Sequence, residues 1–238
     1  MGVFVKKKKK VIKISALILV CILIISIIAF GIYVSDYYHA EEYDMIYDNV
    51  IEKKNYIIYG DLEAEKGFIF YPGAKVEEKA YEPILNQIKE EVCCILVKMP
   101  FHLAVLNPDA AKEVIEDIPQ IQKWYVGGHS LGGAMAAEFA AYDKRVQGLI
   151  LLAAYPTKEL NDIPVLSLYG SEDGVLNMEK YTSSIGLASD VTEILIEGGN
   201  HAQFGNYGEQ SKDKQARISA EEQWRETAEQ IITFIKEN

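Results

Sequence analysis

Cysteine, histidine and basic charge are all scarce in this sequence, and each scarcity excludes something. Three cysteines in 238 residues cannot make a disulfide framework. Cys21 lies within an apolar run. Cys93 and Cys94 are adjacent in EVCCILVKMP, where strand alternation sends them to opposite faces, as two buried small hydrophobes rather than a metal-binding or reactive pair. The first 34 residues hold six lysines (Lys6 to Lys10 and Lys13) and no acid. The other 204 residues therefore carry 18 Lys and Arg against 35 Asp and Glu, a formal charge of −17. A body that acidic repels phosphate backbones, which excludes nucleic acid as a partner. Only four histidines are present, so any chemistry that needs an imidazole has few places to find one.

Apolar residues are not scarce. They make up 49% of the chain, enough for one sizeable globular core. One long run stands apart: residues 14–34, ISALILVCILIISIIAFGIYV, carry no charge over 21 positions. At ~1.5 Å per residue a helix of that length reaches about 30 Å, the thickness of a bilayer's hydrocarbon core. A cleavable signal has a shorter apolar region and a small-residue cleavage site, and the exit GIYVSDYYHAEEY has no A-x-A pattern. The residues before Cys21 (Ile18, Leu19, Val20) do not match a lipoprotein site. The run reads as an uncleaved single-pass anchor. The lysines of residues 1–13 form a basic tail that stays cytoplasmic and attracts anionic lipid, which puts the body outside. Tyr33, Tyr37 and Tyr38 are placed either at the outer membrane interface or in a loose tether over residues 35–54.

From residue 55 to 238 short apolar runs alternate with helical patterns. YIIY (56–59), FIFY (68–71), CCILV (93–97), WYV (124–126), LILLA (149–153), VLSLY (165–169) and EILI (193–196) are continuously apolar, as in parallel strands covered on both faces. Helices are expected over 76–90, where Pro83 interrupts the stretch so that its regular part begins only there, over 108–117 with Asn107 as N-cap, and over 131–142. A last helix starts at Ser219, with Glu222 completing a capping box and Trp224, Ala228, Ile231 and Ile235 on one face. This alternation predicts an α/β fold, a doubly wound and mostly parallel sheet.

Between WYV and an alanine-rich helix lies GGHSLGG. Ser130 thus falls on a strand-to-helix turn, with Gly128 and Gly132 at −2 and +2. A serine raised on such a strained turn brings strand and helix so close that side chains at ±2 would collide. A plain glycine turn is the alternative. A serine nucleophile needs a base. His39 lies in the tether, His102 precedes the serine, and His129 is its neighbour on the turn, with a side chain that must project elsewhere. His201, in EGGNHAQFG after the EILI strand, is left. The acid that orients it belongs on a loop between the two. VLSLYGSEDGV offers Asp173, with Glu172 as the alternative. An oxyanion needs two amide donors. Leu131 N–H follows the nucleophile, and by position the loop FIFYPGAKVEE supplies Ala74 N–H next to Gly73, with a plain Pro-Gly turn as the alternative.

FIFYPGAKV, GGHSLGG, YGSEDG and GGNHAQFG, in this order, resemble an α/β-hydrolase of the serine-hydrolase kind, and within it the compact dienelactone-hydrolase-like bacterial group, over about residues 55–237. The resemblance implies a triad of Ser130, Asp173 and His201, an oxyanion hole at Ala74 and Leu131, and catalysis without metal or organic cofactor. Pro72 stands where an HG motif carries histidine, and the nucleophile is serine where dienelactone hydrolases proper use cysteine, so their substrate does not carry over. The expected activity is hydrolysis of a small-molecule or lipid-like ester through an acyl-enzyme. Acyl transfer, amide cleavage and an inactive binding module on the same fold are the alternatives. Only residues 155–163 are available as a lid, which predicts an open site, with Phe101, Tyr155 and Phe204 as candidate walls. Oligomeric state leaves no trace in the sequence.

Overall fold

The computed structural model describes residues 2–44 and 48–238, with side chains from residue 13 onward. The lysines of the basic tail before Lys13 therefore lie outside the described side chains, as does part of the stretch between residues 35 and 54. The chain divides into two compact units at Tyr37 and Tyr38. The first is α1 (Gly2–Ser35), whose stretch Lys13–Ser35 is long and apolar enough to cross a membrane. Its large apolar side chains from Ile14 to Tyr33 are exposed, so they do not form a core of their own.

The second unit is built on one eight-stranded sheet. Along the chain come β1 (Val50–Glu52), β2 (Tyr56–Tyr59), β3 (Lys66–Tyr71), α2 (Glu82–Ile88), β4 (Cys93–Val97), α3 (Ala110–Asp117), β5 (Lys123–His129), α4 (Leu131–Ala140), β6 (Val146–Leu152), β7 (Val165–Gly170), α5 (Met178–Ser184), β8 (Val191–Ile196) and α6 (Ala220–Glu237). The strand order is β1-β2-β4-β3-β5-β6-β7-β8. Among the described strands only the β1/β2 and β2/β4 pairs are antiparallel. All seven expected strands are present; the inner ones are continuously apolar because both their faces are covered, whereas β8 at the sheet edge leaves Thr192, Glu193 and Leu195 exposed. In β3, Ile69 and Tyr71 enter the core on one side, and Phe68 and Phe70 the core on the other. Cys93 and Cys94 divide the same way and are free, and burial pushes the Cys93 thiol up to about 12.

Strand order is what makes a site. The chain runs outward from β3 to β4, then crosses back to lay β5 on the other side of β3. The C-terminal ends of β3 and β5 therefore lie side by side, with Tyr71 opposite Gly128. That is the topological switch point, where open α/β sheets carry their ligands. β7 and β8 pair through Gly170 and Ile196, so their following loops are also neighbours.

Two expectations need correction. Residues 38–43 are not a loose tether and Tyr38 does not stand free for a membrane interface. Tyr38 donates its N–H to Lys75 O (2.7 Å), accepts from Glu77 N–H (2.9 Å) and packs on Tyr207. Tyr43 stacks edge-on against Trp224, and β1 adds a further strand inside the same stretch. Large aromatic rings bury area that a solvated linker would leave in water. Asn107 does not cap α3. It closes a 3₁₀ turn on Ala104 O, and the helix starts later with Asp109 as N-cap. Within the 76–90 stretch the regular helix begins at Glu82, in line with the interruption at Pro83, which occupies the first turn, the position where a missing N–H costs nothing. At Ser219 the cap forms as expected, its hydroxyl accepting from Glu222 N–H at 3.2 Å.

Candidate active site

Between β5 and α4, Ser130 holds φ 52° and ψ −122°. An L-residue adopts such a backbone only where the surroundings over-determine it, at about 1–3 kcal/mol. Here they do. Ser130 N–H bonds Leu152 O (2.9 Å) and Ser130 O accepts from Ala134 N–H (3.1 Å). The glycines on either side are required by close approach. A Cβ on Gly128 would lie 2.3 Å from Tyr71 O, and one on Gly132 would lie 2.2 Å from both Tyr71 O and Pro72 O. The elbow is thus pressed directly onto the loop after β3. Gly132→Ala is expected to destabilise the protein by about 3 kcal/mol, lowering Tm by roughly 6–12 °C in a chain of this size. Thermal unfolding followed by circular dichroism measures it, and an unchanged Tm would mean that the loop withdraws freely.

Asp173 and His201 meet. His201 Nδ1 lies 2.8 Å from Asp173 Oδ2, with both side chains buried. The other carboxylate oxygen accepts from Val175 N–H (2.8 Å) and Leu176 N–H (2.7 Å), which aims the group. Glu172 points away and pairs with Arg217 Nε at 2.8 Å. Of the two acids, the geometry brings only Asp173 to the histidine. His201 in turn stands between two held neighbours. The side chain of Gln223 on α6 makes a bidentate pair with the Asn200 backbone, accepting from its N–H (3.0 Å) and donating to its carbonyl (2.9 Å). A Cβ on Gly199 would lie 2.7 Å from Gln223 Oε1, which accounts for the second glycine of GGNH.

The His129 side chain is buried among Tyr81, His201 and Phe204. Its ring lies 4.5 Å from that of His201 and 5.8 Å from Phe204. Burial, then the neighbouring His201, hold its pKa well below the ordinary histidine value, so it is neutral. Its Nδ1 shares a hydrogen bond with Tyr81 Oη (2.9 Å), which also accepts from Gly73 N–H (2.9 Å). One buried tyrosine thereby connects the β3 loop to the floor beneath His201, a link with no signature in the sequence.

The β3 loop leaves one amide open. Gly73 N–H is taken by Tyr81 and Lys75 N–H by His102 O (2.8 Å), whereas Ala74 N–H has no partner among the described residues. Leu131 N–H, at the first position of α4, has no intrahelical acceptor.

Ser130, Leu131 and His201 share the wall of a cavity of 360 Å³ with Met135, Ala154, Tyr155 and Leu176, and the wall is mostly apolar. His201 Nε2 is buried without a hydrogen-bond partner, so Ser130 and His201 are not yet bonded. Tyr155 is a wall as expected. Phe204 is not: it is fully buried behind His129. Phe101 is exposed and does not line this cavity. The short 155–163 stretch holds no helix, and Thr157 and Lys158 tie it to Glu138 of α4 at 2.8 Å and 3.3 Å.

The sequence family described as Alpha/beta hydrolase family matches residues 67–225, two thirds of the chain. This chain belongs to the alpha/beta hydrolase family. Solved structures of the same fold include an alpha/beta hydrolase from the metagenome of Mar Chica lagoon sediments, at TM-score 0.60 and 15% identity over 80% of this chain and 99% of that one. Naproxen esterase from Bacillus subtilis aligns at TM-score 0.54 and 11% identity over 78% and 90%. Est1E from Butyrivibrio proteoclasticus, solved with ferulic acid, aligns at TM-score 0.53 and 15% identity over 79% and 100%. No curated protein matches the sequence. This alpha/beta hydrolase thus shares the architecture of esterases at low identity.

Proposed function

We propose that this chain is a membrane-anchored serine hydrolase, a carboxylic ester hydrolase working through an acyl-enzyme on Ser130. The observation that carries the reading is the strained Ser130 opening onto the same apolar cavity as His201, whose far nitrogen is bonded to the buried Asp173 carboxylate.

Asp173 accepts a hydrogen bond from Nδ1–H of His201, which keeps that proton on Nδ1 and leaves Nε2 bare to act as base. Nε2 takes the Ser130 proton as Oγ attacks the ester carbonyl. A buried nitrogen without a partner is poised to make that bond, and such bonds commonly close only with substrate in place. The developing oxyanion takes Leu131 N–H and Ala74 N–H, the latter free of competing acceptors, while the N-terminus of α4 favours the negative charge. The alkoxide leaves with the proton from His201, and water activated by the same nitrogen releases the acid. The apolar wall from Leu131 to Leu176 receives the acyl part. No step calls on a metal or organic cofactor. Residues 14–34 hold the enzyme in the cell membrane with the N-terminus cytoplasmic and the catalytic domain outside.

The test is fluorophosphonate labelling of membranes containing the full chain. Wild type is expected to label as a full-length band in the membrane fraction. Ser130→Ala should not label, and His201→Ala should label about 100-fold or more slowly, the worth of a general base. Absence of label on folded wild type would overturn the activated serine and favour an inactive binding module. A shortened labelled band in the soluble fraction would overturn the anchor alone. Turnover with esters, amides and acceptor alcohols then separates hydrolysis from acyl transfer.

A further inference from the structure

The loop over residues 205–218, between the His201 turn and α6, takes no part in the reading above, yet one of its side chains holds both loops of the acid–histidine pair. The Asp213 carboxylate accepts three main-chain hydrogen bonds. Oδ1 takes Gly174 N–H (2.9 Å) and Lys214 N–H (3.0 Å), and Oδ2 takes Ala202 N–H (2.8 Å). Gly174 follows Asp173 and Ala202 follows His201. The two oxygens of one carboxylate therefore grip the residues just beyond each member of the pair.

The loop is shaped for this contact. A Cβ on Gly174 would lie 2.5 Å from Lys212 O and 3.0 Å from Lys214 N, so the acid loop and the 212–214 backbone touch face to face. Lys212 accepts a left-handed backbone, φ 74°, to bring Asp213 round. On the strand side of the pair, the two loops are already joined by Glu172 N–H to Gly199 O (2.8 Å) and Gly198 N–H to Ser171 Oγ (2.8 Å). Asp213 supplies the tie on the other side, with charge-assisted bonds that are shorter and stronger than neutral ones. The Asp173–His201 bond is thus bracketed.

We propose that Asp213 is a positioning residue: it sets the spacing of the acid loop and the histidine loop and so keeps Asp173 within bonding distance of His201. The proposal rests on the serine-hydrolase reading, and its test separates the two. A small misplacement of a reacting group costs on the order of 100-fold in rate. Asp213→Ala, in the full chain in detergent micelles, is expected to lower kcat by roughly 30- to 100-fold with KM changed less than about threefold, because the cavity wall does not include this residue. Asp213→Asn should fall between wild type and Ala, since its one carbonyl oxygen keeps one loop while its NH₂ faces the N–H of the other. In the Asp173→Asn background, Asp213→Ala should add less than about threefold, as expected of two groups acting through one bond.

Proton NMR gives a readout that a role in folding alone would not move. The hydrogen-bonded Nδ1 proton of His201 should resonate far downfield in wild type, and shift upfield or vanish in Asp213→Ala at unchanged Tm. A folded Asp213→Ala or Asp213→Asn protein with wild-type kcat and an unmoved Nδ1 resonance would overturn the proposal. If Asp213→Ala does not fold, Asp213→Asn decides by the same two readouts. If wild type fails to label with fluorophosphonate, the serine-hydrolase reading fails, and the Nδ1 resonance alone still decides whether Asp213 positions the pair.

Discussion

Ser130→Ala, His201→Ala and the double variant are expected to lose kcat for an ester by about the same factor, on the order of 10⁵–10⁶. That is about 7–8 kcal/mol of transition-state stabilisation at 1.36 kcal/mol per tenfold. The near-equality follows from chemistry rather than from distance. Without His201 Nε2 nothing in the apolar cavity can take the hydroxyl proton, and without the hydroxyl the imidazole has no nucleophile to activate. Each variant then falls back on what remains, Leu131 and Ala74 N–H and the binding wall, which is worth roughly 10³–10⁴ over water. Steady-state kinetics of the full chain on a p-nitrophenyl ester series measures all three. Losses that multiply in the double variant would mean that the two side chains act independently, and the triad mechanism would be abandoned.

How far the sequence discloses this arrangement differs from element to element. Six of the seven expected strands are legible because a strand covered on both faces is a bare apolar run, and the seventh, β8, shows through ILI although the edge strand is largely exposed. β1 is not, since VIE is three residues of an exposed edge. α5 escapes for a related reason: MEKYTSS buries Tyr181 alone and has no apolar stripe, although Asn177, whose side chain accepts from Lys180 N–H at 2.9 Å, is a readable N-cap. Ser130 and His201 emerge from spacing and elimination, because the ±2 glycines and the shortage of histidine leave few choices. Asp213 and Tyr81 do not emerge. Asp213 acts on main-chain groups up to 39 residues away and Tyr81 joins Gly73 N–H to the distant His129 ring, and neither a lysine-flanked aspartate in a loop nor a tyrosine in a helix-like stretch announces such a bond.

The choice between Glu172 and Asp173 is the sharpest case, because alternation along a tight turn sends adjacent acids in opposite directions and no pattern says which way. Asp173→Asn is expected to lower kcat by about 10⁴-fold, and Glu172→Gln by less than threefold or so. The asymmetry comes from what each carboxylate touches. Asp173 Oδ2 receives Nδ1–H of His201, while Val175 and Leu176 N–H hold its other oxygen. An asparagine in that place keeps its carbonyl on the two amides and turns its NH₂ toward Nδ1. The imidazole then has to accept at Nδ1 and carry its proton on Nε2, the nitrogen that must be bare to activate Ser130. Geometry survives and the base is lost. Glu172 instead meets Arg217, a pair with the arginine side chain 59% exposed, of the sort worth only about 0.2–1 kcal/mol of stability. Kinetics on the two variants, with Tm as the folding control, separates the roles. Loss of turnover in Glu172→Gln with Asp173→Asn spared would require the turn to adopt the opposite register, and with it a different placement of His201.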